Sequence, residues 1–169
     1  MTVKTPQEQE IDTAYHEAGH AVMGCLLERY PEYVSIIPDG KGMVGETQFA
    51  AEVPVYAKRH LDDSPAKRQY ARQRVLGELA GTITHDIKEP GRKHDPADEN
   101  DEKWTRELII ELVSWEDEPK YFEKSRDEAA ALLKANWSWV VTVAKALCRQ
   151  KKLLLPEILA LRRRDGVTP

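Results

Sequence analysis

The stretch TAYHEAGHAVMG, residues 13–24, places His16, Glu17 and His20 inside one run of apolar residues at helical spacing. Just upstream, Thr5-Pro6-Gln7-Glu8 is a helix start: Thr5 can cap, Pro6 suits the first helical position and Glu8 completes a capping box. The spacing predicts a helix from there to about Arg29. Ile11, Tyr15, Ala18, Val22, Cys25 and Leu26 form one stripe, while His16 and His20 share another face with Met23 and Leu27. A helix that is apolar on two sides belongs in the middle of a domain. Gly19 in its interior costs about 1 kcal/mol relative to Ala, which predicts that another segment passes close to it.

Two histidines four apart on a helix stack on one face, about 5–6 Å between Cβ atoms. Their nitrogens can meet at a common atom, and zinc accepts His nitrogens at about 2.0–2.1 Å in a tetrahedral shell. Glu17 lies about 100° further round the helix. It is too far round to be a comfortable third ligand, yet it can reach a water beside the metal and take its proton. The bland alternative is a pair of hydrogen-bonded core histidines. A catalytic zinc needs one more protein ligand and an open position. The longer HExxHxxGxxH pattern is absent, since the run continues HEAGHAVMGCL. Candidates elsewhere are His60, His85, Asp86, His94, Asp95, Asp98 and Asp101. Periodicity favours Asp101, with His85-Asp86 next, while His60 and His94 sit in polar segments. Asp101 equally suits a first-turn acid that stabilises a helix dipole.

The remaining chain reads as mostly helical. Tyr33–Ile37 and Val44–Phe49 are strand candidates around the turn residues Asp39–Gly42, which predicts a hairpin. Ser64-Pro65 opens a helix reaching about Ile87, and residues 88–100 read as a loop. A helix follows from about Asp98 to Trp115, with Trp104, Leu108, Leu112 and Trp115 as its inward stripe and Asp101 on the same face. Ser125-Arg126-Asp127-Glu128 is a second capping box, predicted to start a long helix that ends before Leu155-Pro156. The expected fold class is mainly α with one small β-hairpin, in a single domain over residues 1–169.

Lys+Arg total 25 and Asp+Glu 29, a formal charge of −4, which gives no electrostatic reason to expect nucleic acid. No apolar run approaches the roughly 18 residues that span a bilayer, and MTVKTPQEQE lacks the apolar core of a secretion signal. Cys25 and Cys148 imply no disulfide framework. The expectation is a cytoplasmic protein with no membrane partner.

Several of these segments resemble the protease domain of FtsH-type AAA proteases, the membrane-bound ATP-dependent zinc peptidases. The likeness begins at Thr13-Ala-Tyr-His-Glu-Ala-Gly-His-Ala-Val and continues in Val34-Ser-Ile-Ile-Pro and Gly45-Glu-Thr-Gln-Phe. It extends through Leu76 to Ile87, Asn100-Asp101 and the segment from Ala146 to Ile158. The resemblance implies that His16, His20 and Asp101 are zinc ligands and that Glu17 is the catalytic base. It implies unfolded or short peptides as substrates, a separate AAA ATPase as partner, and homo-oligomeric assembly. There are departures. No G-x-x-x-x-G-K-[ST] phosphate loop occurs, His85-Asp86 stands where the family carries paired acids, and His-Asp-Pro-Ala-Asp-Glu replaces a Gly-rich loop. The favoured reading is a zinc metallopeptidase. The alternatives are a catalytically silent zinc-binding adaptor and a metal-free helical scaffold.

Overall fold

The computed structural model describes residues 4–40, 44–50, 65–113 and 115–164. They form helices α1 (Pro6–Leu26), α2 (Pro65–Lys88), α3 (Pro96–Leu112), α4 (Glu118–Ala135), α5 (Trp137–Gln150) and α6 (Leu155–Arg164). Three short strands, β1 (Pro31–Ser35), β2 (Glu46–Phe49) and β3 (Lys152–Leu154), make one antiparallel sheet in the order β2-β1-β3. The fold is mainly α with a small sheet, as the sequence predicts. His60, Ser64 and the turn residues 41–43 lie outside the described residues.

The first helix starts as expected. Thr5 Oγ1 accepts from the Glu8 amide at 3.3 Å, and Glu8 Oε2 accepts from the Thr5 amide at 2.7 Å. Both reciprocal bonds of a capping box are therefore made. Ala14, Ala18, Ala21, Val22 and Met23 are wholly buried, so α1 runs through the centre of the core. It packs against α2 on one side and α5 on another. Gly19 is a point of close approach to α2. A Cβ there would come within 2.6 Å of the Ala80 carbonyl oxygen and within 2.9 Å of Thr84 Cβ. Backbone cannot yield as a flexible side chain can. Gly19→Ala is therefore expected to destabilise the fold by about 1–3 kcal/mol, read as a lower midpoint in urea unfolding at unchanged slope.

The sheet carries a strand absent from the expected hairpin. β3 pairs with β1 at Val34↔Leu153, while Val34 also opposes Thr47 on β2. Lys151, in the left-handed region at φ 67°, ends α5 and turns the chain into β3. Val34 and Leu153 are both fully buried under the sheet.

Two expected helices differ. The predicted capping box at Ser125 is not a helix start: α4 begins seven residues earlier, with Pro119 in its first turn. Ser125 is buried mid-helix, and its hydroxyl donates to the Tyr121 carbonyl at 2.8 Å, a bond within the preceding turn that removes the need to cap. The expected single long helix is split at Asn136, whose side-chain amide donates to the Leu132 carbonyl. Of the predicted inward stripe of α3, Leu108 is partly buried against the core, while the two tryptophans point outward. Trp104 is 60% and Trp115 74% exposed, and the side chain of Leu112 lies outside the described residues. The buried face runs through Asp98, Thr105 and Ile109, with Asp101 on the same side. Trp139 belongs to the core, its indole N–H donating to the Ile158 carbonyl at 3.0 Å.

Candidate metal centre

The two histidines of α1 meet the opening turns of α3. His16 Nε2 and His20 Nε2 are 3.1 Å apart, and Asp101 Oδ2 lies 3.1 Å from the first and 3.3 Å from the second. The inward placement of Asp101 follows from the start of α3. Asp95 caps that helix by accepting from the Ala97 and Asp98 amides, with Pro96 in the first turn. The carboxylate of Asp101 then projects toward α1 one turn later.

Two donor atoms bound to one zinc at a tetrahedral angle stand about 3.3–3.4 Å apart. The three observed separations come close to one face of such a tetrahedron. His20 Nδ1 is 2.7 Å from the Gly77 carbonyl oxygen, an acceptor only, so that nitrogen bears the hydrogen. In the neutral ring this leaves the Nε2 lone pair facing Asp101 and His16. Asp101 Oδ2 is buried and meets no donor in hydrogen-bonding geometry. Gly81 of α2 keeps the space open: a Cβ there would come within 2.5 Å of both Nε2 atoms. A buried orphan oxygen, two convergent nitrogens and a glycine-lined gap together suit a divalent cation.

Without an ion the triad holds itself together by charge. Burial pushes the His20 imidazole down, but the Asp101 carboxylate outweighs it and raises His20 to about 10. Burial likewise favours the neutral acid at Asp101, and the His20 charge with the contacts to both imidazoles holds it well below the usual carboxylate range.

Glu17 is buried beside this triad. Its Oε2 accepts from the Thr47 hydroxyl of β2 at 2.8 Å, and Thr47 also reaches the Glu17 carbonyl at 3.2 Å. Gly45, leading into β2, permits this approach, since a Cβ there would fall 2.9 Å from Glu17 Oε1 and 2.6 Å from Thr13 Cγ2. An open cleft of about 990 Å³ runs over His16, Glu17, His20 and Asp101 and along residues 44–50.

The other sequence candidates divide. Asp86 pairs with His94 at 3.1 Å and with Arg126 at 2.9 Å, away from the triad. His94, expected to be solvated, is instead partly buried between Asp86 and Glu102. Asp95 serves as a helix cap. His85 and Asp98 are buried next to His16 but bind each other at 2.9 Å, with Arg92 on both. Sequence reading did not single out Thr47, Arg92 or the Gly77 carbonyl. Their roles depend on contacts between distant elements.

No protein-family model matches the chain. It is 36% identical over 90 residues, 49% of its length and 13% of the relative's, to an ATP-dependent zinc metalloprotease FtsH of Rhodothermus marinus. It is 37% identical over 87 residues, 50% of its length and 10% of the relative's, to the mitochondrial inner membrane m-AAA protease component AFG3L2 of Mus musculus. The component YTA10 of Saccharomyces cerevisiae is 32% identical, again over 87 residues, 50% of this chain and 10% of that protein. About half of the chain is similar in sequence to these three proteins. The matched segments thus span only about a tenth of the length of these curated relatives. Among the described residues no helix is long and apolar enough to cross a membrane.

Proposed function

We propose that this chain is a zinc-dependent peptidase module in which His16, His20 and Asp101 hold the ion and Glu17 is the general base. The carrying observation is the triangle of His16 Nε2, His20 Nε2 and Asp101 Oδ2, with sides of 3.1, 3.1 and 3.3 Å, beside a buried carboxylate. The sequence relation to zinc metalloproteases supports the same choice of metal. Zinc in such a site supplies Lewis acidity, polarising a peptide carbonyl and acidifying water.

The chain's own residues supply the rest. Among the described residues β2 lies at the sheet edge, next to the cleft. An extended substrate can add to that edge through main-chain hydrogen bonds, which carry little side-chain selectivity. Unfolded or short peptides are therefore the proposed substrates. Thr47 fixes one oxygen of Glu17, so the other is the one to take a proton from the attacking water. The resulting carboxylic acid then passes that proton to the leaving amine. Relatives described as ATP-dependent or as m-AAA components make a AAA ATPase that delivers unfolded chain, and assembly into an oligomer, part of the proposal.

The test is elemental analysis together with turnover of an unfolded test protein. Wild type is expected to bind about one zinc per chain, to lose turnover on chelation and to regain it on zinc addition. His20→Ala is expected to lose both. Undiminished zinc in His20→Ala would rule out the ligand set.

A further inference from the structure

We propose that Asp98 is a positioning residue for His16, accepting its Nδ1–H and so fixing which ring nitrogen faces the metal. This rests on the zinc reading above and adds a residue that no ligand pattern assigns. The two histidines of α1 differ in one respect. His20 has its outer nitrogen bonded to the Gly77 carbonyl. His16 Nδ1 is buried and has no hydrogen-bond partner. The acceptor beside it is Asp98 Oδ1, at 3.8 Å. Histidines that bind a metal through one nitrogen nearly always donate the other N–H to a carboxylate or carbonyl, which fixes tautomer and ring orientation.

Asp98 is built to remain an anion there. It is wholly buried, one turn before Asp101 on the inward face of α3. Its Oδ2 accepts from the Asp95 amide at 3.0 Å and pairs with Arg92 Nη2. Its Oδ1 lies 2.9 Å from His85 Nδ1, and His85 Nε2 is tied to the Asp12 carbonyl of α1 at 2.9 Å. Burial favours the neutral acid, but the contacts with His85, the Asp95 amide and the Arg92 charge hold Asp98 well below the usual range. The carboxylate is thus clamped from α2 and from the loop before α3, and its Oδ1, held by His85, stands 3.8 Å from His16 Nδ1. His16, His85 and Asp98 are also close enough together to suggest a second ion. Arg92 Nη2, 2.6 Å from His85 Nδ1, already fills that cation's place.

Two measurements test this. In zinc-loaded wild type, nitrogen–proton NMR of the imidazole rings should show slowly exchanging Nδ1–H protons for both His20 and His16, assigned apart from the ring protons of buried His85. The His20 proton is the internal reference, since the Gly77 carbonyl protects it. In Asp98→Asn, an isosteric change that turns an N–H donor toward His16, the His16 proton should exchange fast while that of His20 persists. Zinc affinity, from competition with a coloured chelator, should weaken by about 10–100-fold. Fast exchange at His16 in loaded wild type overturns the inference even if the variant fails to fold, as does unchanged zinc affinity in a folded variant. Both outcomes leave the ligand triad standing. Failure of wild type to bind zinc at all overturns both.

Discussion

Glu17→Gln is expected to keep its zinc and to lower peptide turnover by about 10²–10⁴-fold, the span typical of a lost general base. The substitution preserves shape. A glutamine carbonyl can still accept from Thr47, whose hydroxyl lies 2.8 Å from the native carboxylate, and the gap left by Gly45 is equally large for either side chain. His16, His20 and Asp101 contact one another, not Glu17 Oε2, so the metal-binding triangle has no reason to change. What the amide cannot do is take a proton from water at neutral pH. Elemental analysis and turnover of an unfolded protein, measured on the same preparation, separate the two effects. Equal turnover by both forms would remove Glu17 from the mechanism. No turnover by either form, with zinc bound, would assign the chain to the silent adaptor reading.

The sequence shows the α1 half of the candidate site more clearly than the half supplied by α3. The capping box at Thr5 and the close approach at Gly19 are both present, because each is marked by residues within α1 itself, the second by a glycine where a helix interior favours alanine. Asp101 faces inward as periodicity indicates, yet for a different reason. The inward face of α3 is polar at Asp98, Asp101 and Thr105 and apolar only further on, at Leu108 and Ile109, while Trp104 points to solvent. Apolar periodicity fails where a helix buries charge, since the core-facing positions then carry the wrong residue types. β3 was hidden for another reason. Lys152–Leu154 is three residues long and exists as a strand through pairing with β1, more than a hundred residues earlier. The clamp of Arg92, His85 and Asp98 is likewise invisible locally, because its members come from a helix, a loop and another helix.

Stripping zinc from the loaded protein is expected to lower its stability by about 4 kcal/mol when free zinc had been a thousandfold above its dissociation constant. The loss should grow with pH. In the apo protein His20 is raised from 6.5 to about 10 by Asp101. That group's contribution to stability is fully present below 6.5 and is lost as pH rises through about 10. Asp101 is depressed, so its contribution is present above 3.8 and is lost as pH falls toward its folded value. Between these limits, from 3.8 to 6.5, the ion pair supports the metal-free fold best. Zinc takes the same Nε2 lone pair that the proton holds, so loading near neutral pH must release a proton from His20. One displaced proton makes apparent zinc affinity rise about tenfold per pH unit, equivalent to about 1.4 kcal/mol of added stabilisation per unit. Thermal or urea unfolding of apo and zinc-loaded protein between about pH 6 and 8 reads this directly as a widening gap. Titration calorimetry in buffers of different ionisation enthalpy counts the proton. A gap that stays constant across that range, with no proton released, would mean that His20 Nε2 carries no proton for zinc to displace and would remove the His20–Asp101 ion pair from the metal-free protein.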